Sequence, residues 1–96
     1  MSAFNVVRFK VQPGKDHAFL SAHGPGKVNW PGLRQGTIIK VGEGDYCLIG
    51  EWPDEKTLIT ARPFMLATLN SFRDVLQPTA SGVTEAISGQ AVLSIA

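Results

Sequence analysis

The sequence predicts an α+β fold in which a four-stranded antiparallel sheet carries two helices on one face. Segments with alternating apolar residues, typical of strands, occur near both ends and in the middle of the chain. A glycine-rich turn joins the two middle segments into a hairpin. Two regions with helical patterns follow the first strand and the hairpin, so the expected element order is β-α-β-β-α-β.

The first half of the chain predicts a strand, a short helix and a long loop. Residues 4–11 alternate in the manner of a half-buried strand. The Pro-Gly pair at 13–14 ends this strand and opens a helix, because proline is tolerated in a first turn. The helix ends at His23, where a Gly-Pro pair follows. Residues 24–32 are expected to form a loop.

The middle of the chain predicts a hairpin followed by a long helical region. Residues 33–41 and 46–52 alternate again, and the Gly-Glu-Gly-Asp sequence between them supplies the turn. Apolar residues at helical spacing then mark residues 54–76; they are Leu58, Met65, Leu69, Phe72 and Leu76. Because Pro63 removes a backbone donor, we expect a kink or two helices, 54–61 and 63–76.

The remaining segment predicts a polar loop over residues 77–84 and a last strand over residues 87–95. This completes the split β-α-β-β-α-β motif of ferredoxin-like proteins. Several predicted strands are apolar on both faces; Phe4 and Val6 alternate with Val7 and Phe9 in the first. Surface apolarity of the ordinary kind is one explanation. Burial of the second face against another copy of the chain is the interpretation that we favour.

Length and charge restrict the classes of function. The 96 residues predict one domain over 1–96. Nine basic against eight acidic residues give a net charge of +1, so no basic field attracts nucleic acid or an anionic membrane. The longest apolar run, residues 46–49, is far shorter than the roughly 20 residues of a membrane span. We therefore expect a cytoplasmic protein with neither nucleic acid nor membrane as a partner.

Three segments resemble a known family. They are residues 7–16, which read Val-Arg-Phe-Lys-Val-Gln-Pro-Gly-Lys-Asp, the Pro-Gly-Leu-Arg sequence at 31–34, and residues 46–55, where a strand ends in Trp52 before an acidic helix start. These segments resemble the dimeric α+β-barrel superfamily and, within it, the antibiotic biosynthesis monooxygenase (ABM) domain. The resemblance implies a homodimer with two sheets packed face to face and a cleft between sheet and helices in each protomer.

The activities that the resemblance implies are diverse, because fold alone does not fix function. Some members are cofactor-free oxygenases of polycyclic aromatic compounds, and others degrade haem, isomerise muconolactone or have no known chemistry. Asn5 and Trp52 match two residues of the haem-degrading members. However, residues 54–76 contain no histidine to ligate the iron. We therefore expect no haem, no metal and no other cofactor, and Asn5 is then a polar residue at a strand edge.

His17, His23 and Arg62 are the candidate catalytic residues. Histidine titrates near neutrality, and the chain has two, spaced too far apart for a metal-binding pair on one helical face. Of the two interpretations of His23, we favour a cation at a helix C-terminus over a catalytic base, and His17 is expected to face solvent. Arg62, beside the expected helix break, is a candidate to hold a carboxylate, phenolate or enolate. The alternative is a solvated arginine paired with Asp54 or Glu55.

Large apolar and aromatic residues are candidates to bind a small apolar or aromatic metabolite, with core packing as the alternative. They are Trp30, Tyr46, Trp52, Phe64 and Met65, with Asn5 as a polar neighbour.

The leading hypothesis is cofactor-independent oxygenation of a hydroxy-aromatic compound. Either histidine would act as the base, and Arg62 would stabilise the anion. A non-catalytic dimeric binding module is the alternative, and an isomerase or lyase of a small lactone or acid is a weaker one.

Overall fold

The structure is a computed structural model, which describes residues 1–78 and 82–96. The strands are β1 (Ala3–Lys10), β2 (Gln35–Gly42), β3 (Asp45–Trp52) and β4 (Thr84–Gln90). The helices are α1 (Asp16–Ser21) and α2 (Glu55–Phe72), and a 3-10 turn, Arg73–Val75, follows α2. Within the described residues, no helix is both long and apolar enough to cross a membrane.

The four strands form one antiparallel sheet in the order β2-β3-β1-β4, so the predicted ferredoxin-like fold class is confirmed. Both helices cover the same face of this sheet. The ring of Phe9 from β1 lies 5.1 Å from the ring of Phe19 in α1 and 5.7 Å from that of Phe72 in α2, measured between centroids. These aromatic contacts form the centre of the core.

The first helix begins later than the sequence predicts. Gly14 has a φ of 79°, which is incompatible with a helix, and the Lys15 N–H donates to the Gln12 carbonyl over 3.0 Å. The Pro-Gly pair therefore forms a turn that precedes α1. In the first turn of α1, the carboxylate of Asp16 accepts a hydrogen bond of 2.5 Å from the Tyr46 hydroxyl. This bond fixes the short helix to β3.

The second helical region forms one continuous helix, so the two-helix alternative is wrong. The Asp54 carboxylate caps its start by accepting the Thr57 N–H over 2.7 Å, and hydrogen bonds from Thr57 lower the pKa of this carboxyl. Pro63 lies inside the helix on its exposed side. Water can therefore satisfy the Ile59 carbonyl, which has lost its helical donor.

The end of α2 also differs from the prediction. The helix ends at Phe72 rather than Leu76, and Leu76 is extended and pairs with Val11 just beyond β1. The Gln77 N–H donates to the Lys10 carbonyl over 2.7 Å. Pairing with the end of β1 thus replaces the last helical turn, while Leu76 remains buried.

The last strand lies nearer to the N-terminus than the predicted residues 87–95. β1 offers pairing partners from Phe9, opposite Thr84, to Ala3, opposite Gln90. Beyond Gln90 the described backbone has no strand to pair with, and residues 92, 93 and 95 are largely exposed. Of the loop expected over 77–84, residues 79–81 lie outside the described part of the chain.

A buried hydrogen bond joins β1 to β3 beneath α2. The indole Nε1 of Trp52 donates to Oδ1 of Asn5 over 2.8 Å, and both residues are buried. Asn5 therefore lies in a central strand, which corrects the expectation of a strand-edge position. Gly50 lies opposite Asn5, and a Cβ at that position would be 2.4 Å from this amide oxygen. The hydrogen bond thus requires glycine at position 50.

Replacing Gly50 with alanine is expected to lower the free energy of unfolding by roughly 2–4 kcal/mol, because the new methyl group displaces the Asn5 amide. Gly89→Ala is the matched control, since a Cβ at Gly89 meets no atom within 4 Å. We expect the control to change stability by about 0.5 kcal/mol or less. Urea denaturation measures both variants, and equal losses would contradict the role assigned to Gly50.

Candidate functional site

A cavity of about 280 Å³ lies between α2 and the inner face of the sheet. α2 packs over β1 and β3, which leaves space between this helix and β4. The inner face of the sheet contributes Asn5, Val7, Phe9, Leu48, Thr84, Ala86 and Ser88, and Ile87, from the other face of the edge strand β4, borders the cavity. The helix contributes Leu58, Arg62, Met65, Leu66, Thr68, Leu69 and Phe72. Two residues outside these elements, His23 and Trp30, complete the lining.

The predicted site residues divide into two groups. Five of them line the cavity: Asn5, His23, Trp30, Arg62 and Met65. Four others do not line it: His17, Tyr46, Trp52 and Phe64. The cavity therefore brings together residues that lie far apart in the sequence, and it separates the two histidines.

The histidine and the phenylalanine of the second group are on the surface. His17 is exposed in α1, and its Nε2 lies 3.3 Å from the hydroxyl of Ser21, one turn later. Phe64 is half exposed, because it projects from the side of α2 that faces away from the sheet. Neither ring can contact a ligand in the cavity.

The other two residues of the second group serve the core. Trp52 is fully buried and is held by Asn5, as described above. The hydrogen bond to Asp16 and burial raise the pKa of Tyr46 to about 12. The Tyr46 phenol therefore keeps its proton near neutrality and connects α1 to the sheet.

His23 lies at one end of the cavity in a defined protonation state. Its Nδ1 is 3.0 Å from the carbonyl oxygen of Phe19, and a carbonyl only accepts, so Nδ1 carries the proton. Burial lowers the pKa of His23 below the usual value of 6.5, while the bond to Phe19 opposes this shift in part. At neutral pH the ring is therefore uncharged, and its Nε2 presents a lone pair.

The two explanations of His23 are thus compatible. Nδ1 caps a carbonyl near the end of α1, as a helix-capping residue does. Nε2 has no hydrogen-bond partner among the described residues. Every fully buried polar side-chain atom of these residues has a partner, so Nε2 is not fully buried. This nitrogen therefore remains accessible. The ring of Phe72, 4.7 Å away between centroids, packs against the imidazole.

Trp30 and Asn5 use their polar atoms within the protein. The Trp30 indole donates to the Thr68 hydroxyl over 2.9 Å, and Thr68 donates in turn to the Phe64 carbonyl over 3.2 Å. The amide nitrogen of Asn5 points to the sulfur of Met65, 3.6 Å away. These residues therefore offer mainly apolar surface and ring faces to a ligand.

Arg62 lies at the exposed edge of the cavity. Its Nη2 donates to the hydroxyl of Ser88 in β4 over 3.3 Å. The pairing with Asp54 or Glu55 that was the alternative interpretation is not found: Arg62 forms no ion pair within residues 1–78 and 82–96. α2 is continuous at this position, so the expected helix break beside Arg62 is absent.

Three polar residues of the lining, Thr68, Thr84 and Ser88, are not among the candidates that the sequence predicts. The predicted strand, 87–95, begins three residues after β4 does. It therefore does not include residues 84 and 86, which alternate toward the cavity together with residue 88. Thr68 lies next to Leu69 on the helical stripe and was overlooked because the stripe was defined by apolar residues alone. A polar residue beside an apolar helical stripe, such as Thr68, is the sequence signal that could have indicated a polar group in the lining.

Comparisons with known proteins define the class of fold. No family model matches the chain, and no curated protein matches it. Solved structures match over nearly its whole length, and they include ABM-domain proteins. The chain therefore has the ABM-like α+β fold.

Three of these structures indicate the range of similarity. SnoaB, a cofactor-independent oxygenase from Streptomyces nogalater, is 18% identical, with a TM-score of 0.70 over 98% of this chain and 96% of that one. The ActVA-Orf6 monooxygenase from Streptomyces coelicolor, in complex with nanaomycin D, is 19% identical, with a TM-score of 0.73 over 99% and 91%. Rv0793 from Mycobacterium tuberculosis is 15% identical, with a TM-score of 0.74 over the full length of both chains.

Burial of neutral His23 makes stability depend on pH. Below about pH 6.5 the unfolded chain binds a proton at this residue more readily than the folded chain does, so the free energy of unfolding falls as the pH is lowered. The limit for one proton is about 1.4 kcal/mol per pH unit. We expect His23→Gln to flatten this slope between pH 7.5 and 5.5, measured by urea denaturation. His17→Gln is the control and should keep the wild-type slope; a slope unchanged in His23→Gln would refute the assignment.

Proposed function

We propose that the cavity binds a small, flat and mostly apolar metabolite and that His23 acts on it as a general base. The observation that carries this proposal is the accessible, unprotonated Nε2 of His23 at an apolar cavity. Apolar walls with a few polar groups are typical of small-molecule sites. The fold is shared with ActVA-Orf6, whose structure holds nanaomycin D.

The reaction that fits this arrangement is cofactor-independent oxygenation of a hydroxy-aromatic compound. Nε2 of His23 removes the phenolic proton, and the negative charge delocalises onto a ring carbon. This electron-rich carbon reduces dioxygen, and a carbon–oxygen bond forms to give a hydroperoxide. Loss of water then converts this C–H carbon into a carbonyl and the phenol into a quinone-type product, with one oxygen atom in the product and the other in water. The substrate supplies all four electrons, so the balance needs no further reductant.

A binding module without catalysis is the second candidate. It is favoured by the number of polar groups that are already used internally, including the indole of Trp30 and the amide of Asn5. In this case His23 would hold a ligand hydroxyl without transferring its proton. Binding without turnover separates this candidate from the oxygenase.

We expect the protein to consume oxygen in the presence of anthrone- or quinol-type substrates, without added cofactor. Loss of the base in His23→Gln should lower kcat by roughly 100-fold or more, within the range for general base catalysis. His17→Gln is the matched control, because this histidine is exposed outside the cavity. An oxygen electrode measures the rates. Equal rates in wild type and His23→Gln would exclude His23 as the base, and ligand binding without uptake would favour the binding module.

We further propose that a second copy of the chain covers the outer face of the sheet, as the family resemblance implies. In the sheet register, Val6 lies opposite Ile49 on one side and Ile87 on the other. Directly opposed residues share a face, and both helices lie on the other one. Phe4 and Ile39 add exposed apolar area to this face. Contiguous apolar area of this kind is typical of interfaces.

Light scattering on a sizing column should therefore give a mass near twice 10.3 kDa. Ile49→Glu places a charge at the centre of the outer face and is expected to yield monomers, because an unpaired buried charge opposes association. Ile59→Glu introduces the same charge at a half-exposed position on α2 and should leave the dimer intact. A monomeric wild type would refute this proposal.

A further inference from the structure

His23 and Arg62 lie at opposite ends of the cavity. Arg62 and Phe72 are ten residues apart on α2, which corresponds to about 15 Å along a helix. Phe72 marks the end where His23 packs. The two ends thus lie at opposite limits of the helical wall.

The sheet gives an independent measure of the same length. Asn5 and Phe9 are four residues apart on β1, about 13 Å along a strand. Asn5 lies opposite Ser88, the partner of Arg62, and Phe9 contacts His23 with 6.2 Å between ring centroids. Both walls therefore place the arginine and the histidine at opposite ends.

The arginine end carries an unbalanced positive charge. No aspartate or glutamate of the described residues lines the cavity, and Arg62 forms no ion pair among them. In its bond to Ser88 the guanidinium is the donor, so the serine keeps its own hydroxyl proton. The remaining N–H groups of Arg62 and this hydroxyl can both donate to one anion. The walls between the two ends are formed by apolar side chains such as Val7, Met65 and Leu69.

We propose that this cavity selects flat, elongated acids that bind in one orientation. The anionic group of the ligand is held by Arg62 and Ser88, and a hydroxyl at the opposite end of the ligand donates to Nε2 of His23. This inference rests on the proposed function only in taking the cavity as the ligand site. It revises the expectation that Arg62 stabilises the anion that the histidine base forms, because the apolar walls of the cavity separate the two residues.

Calorimetric titration with oxygen excluded tests this two-point recognition without requiring turnover. The probe is 6-hydroxy-2-naphthoate, whose carboxylate and hydroxyl lie at opposite ends of two fused rings. Its amide, 6-hydroxy-2-naphthamide, lacks the charge, and 3-hydroxy-2-naphthoate places the two groups side by side. We expect the probe to bind about tenfold or more tightly than either analogue, as a charge-assisted hydrogen bond predicts.

Arg62→Gln should remove the preference for the acid over the amide while leaving the affinity for the amide nearly unchanged. Arg73→Gln is the matched control, because Arg73 is exposed, bonds to Asn70 and does not line the cavity. This variant should keep the wild-type preference. The comparison of acid with amide in the wild-type protein needs no variant and holds even if Arg62→Gln is unstable.

Equal affinity for acid and amide, equal affinity for the two hydroxy acids, or no binding of any probe would overturn the proposal. Failure of this binding proposal can be distinguished from failure of the proposed oxygenase activity. Selective binding of the acid without oxygen uptake from any substrate would leave this inference standing and remove the oxygenase. Oxygen uptake with neutral anthrones, together with no preference for acids, would support the oxygenase and refute the selection of acids.

Discussion

The position of the cavity depends on the hydrogen bond between the Trp52 indole and the Asn5 amide. This bond joins the two central strands, and Trp52 lies two residues before Asp54, the cap of α2, so it fixes where the helix leaves the sheet. The other end of the Asn5 amide faces Met65 in the middle of α2. The helix is thereby held over β1 and β3, and the space beside β4 stays open. Breaking this hydrogen bond would leave two buried polar groups unsatisfied at a cost in free energy. The helix is therefore restricted to the position in which the bond is made.

The chemistry available to the cavity follows from which polar groups are already satisfied. Trp30, Tyr46 and Asn5 each spend their hydrogen bonds on a neighbour within the fold. The polar groups left for a ligand include an imidazole nitrogen at one end of the cavity and a guanidinium with a hydroxyl at the other. A site so poor in polar groups discriminates between ligands through the few that it has, because each is surrounded by apolar walls.

Residue patterns predicted the fold well, and five of the candidate residues line the cavity. Alternation defined the strands, and the inner positions of β3 are buried as expected, because a period of two is a local property. The first helix starts later than predicted because the Pro-Gly pair at 13–14 forms a separate turn, and the last strand is displaced because β1 offers it a partner of limited length. His23 and Arg62 were recognised by residue type. Their separation along the cavity depends on which strands and helices pack together, so it could be measured only in three dimensions.

The position of β4 at the edge of the sheet affects how the cavity opens. This strand carries Ser88 and pairs with β1 alone, so hydrogen bonds hold that wall along a single side. Edge strands fray more readily than central ones, since fewer backbone bonds must break. Of the strands that line the cavity, β4 is therefore the one that separates from the sheet with the fewest broken backbone hydrogen bonds. A ligand bound as proposed would join Ser88 to Arg62, so it should slow amide hydrogen exchange in β4 more than in β3.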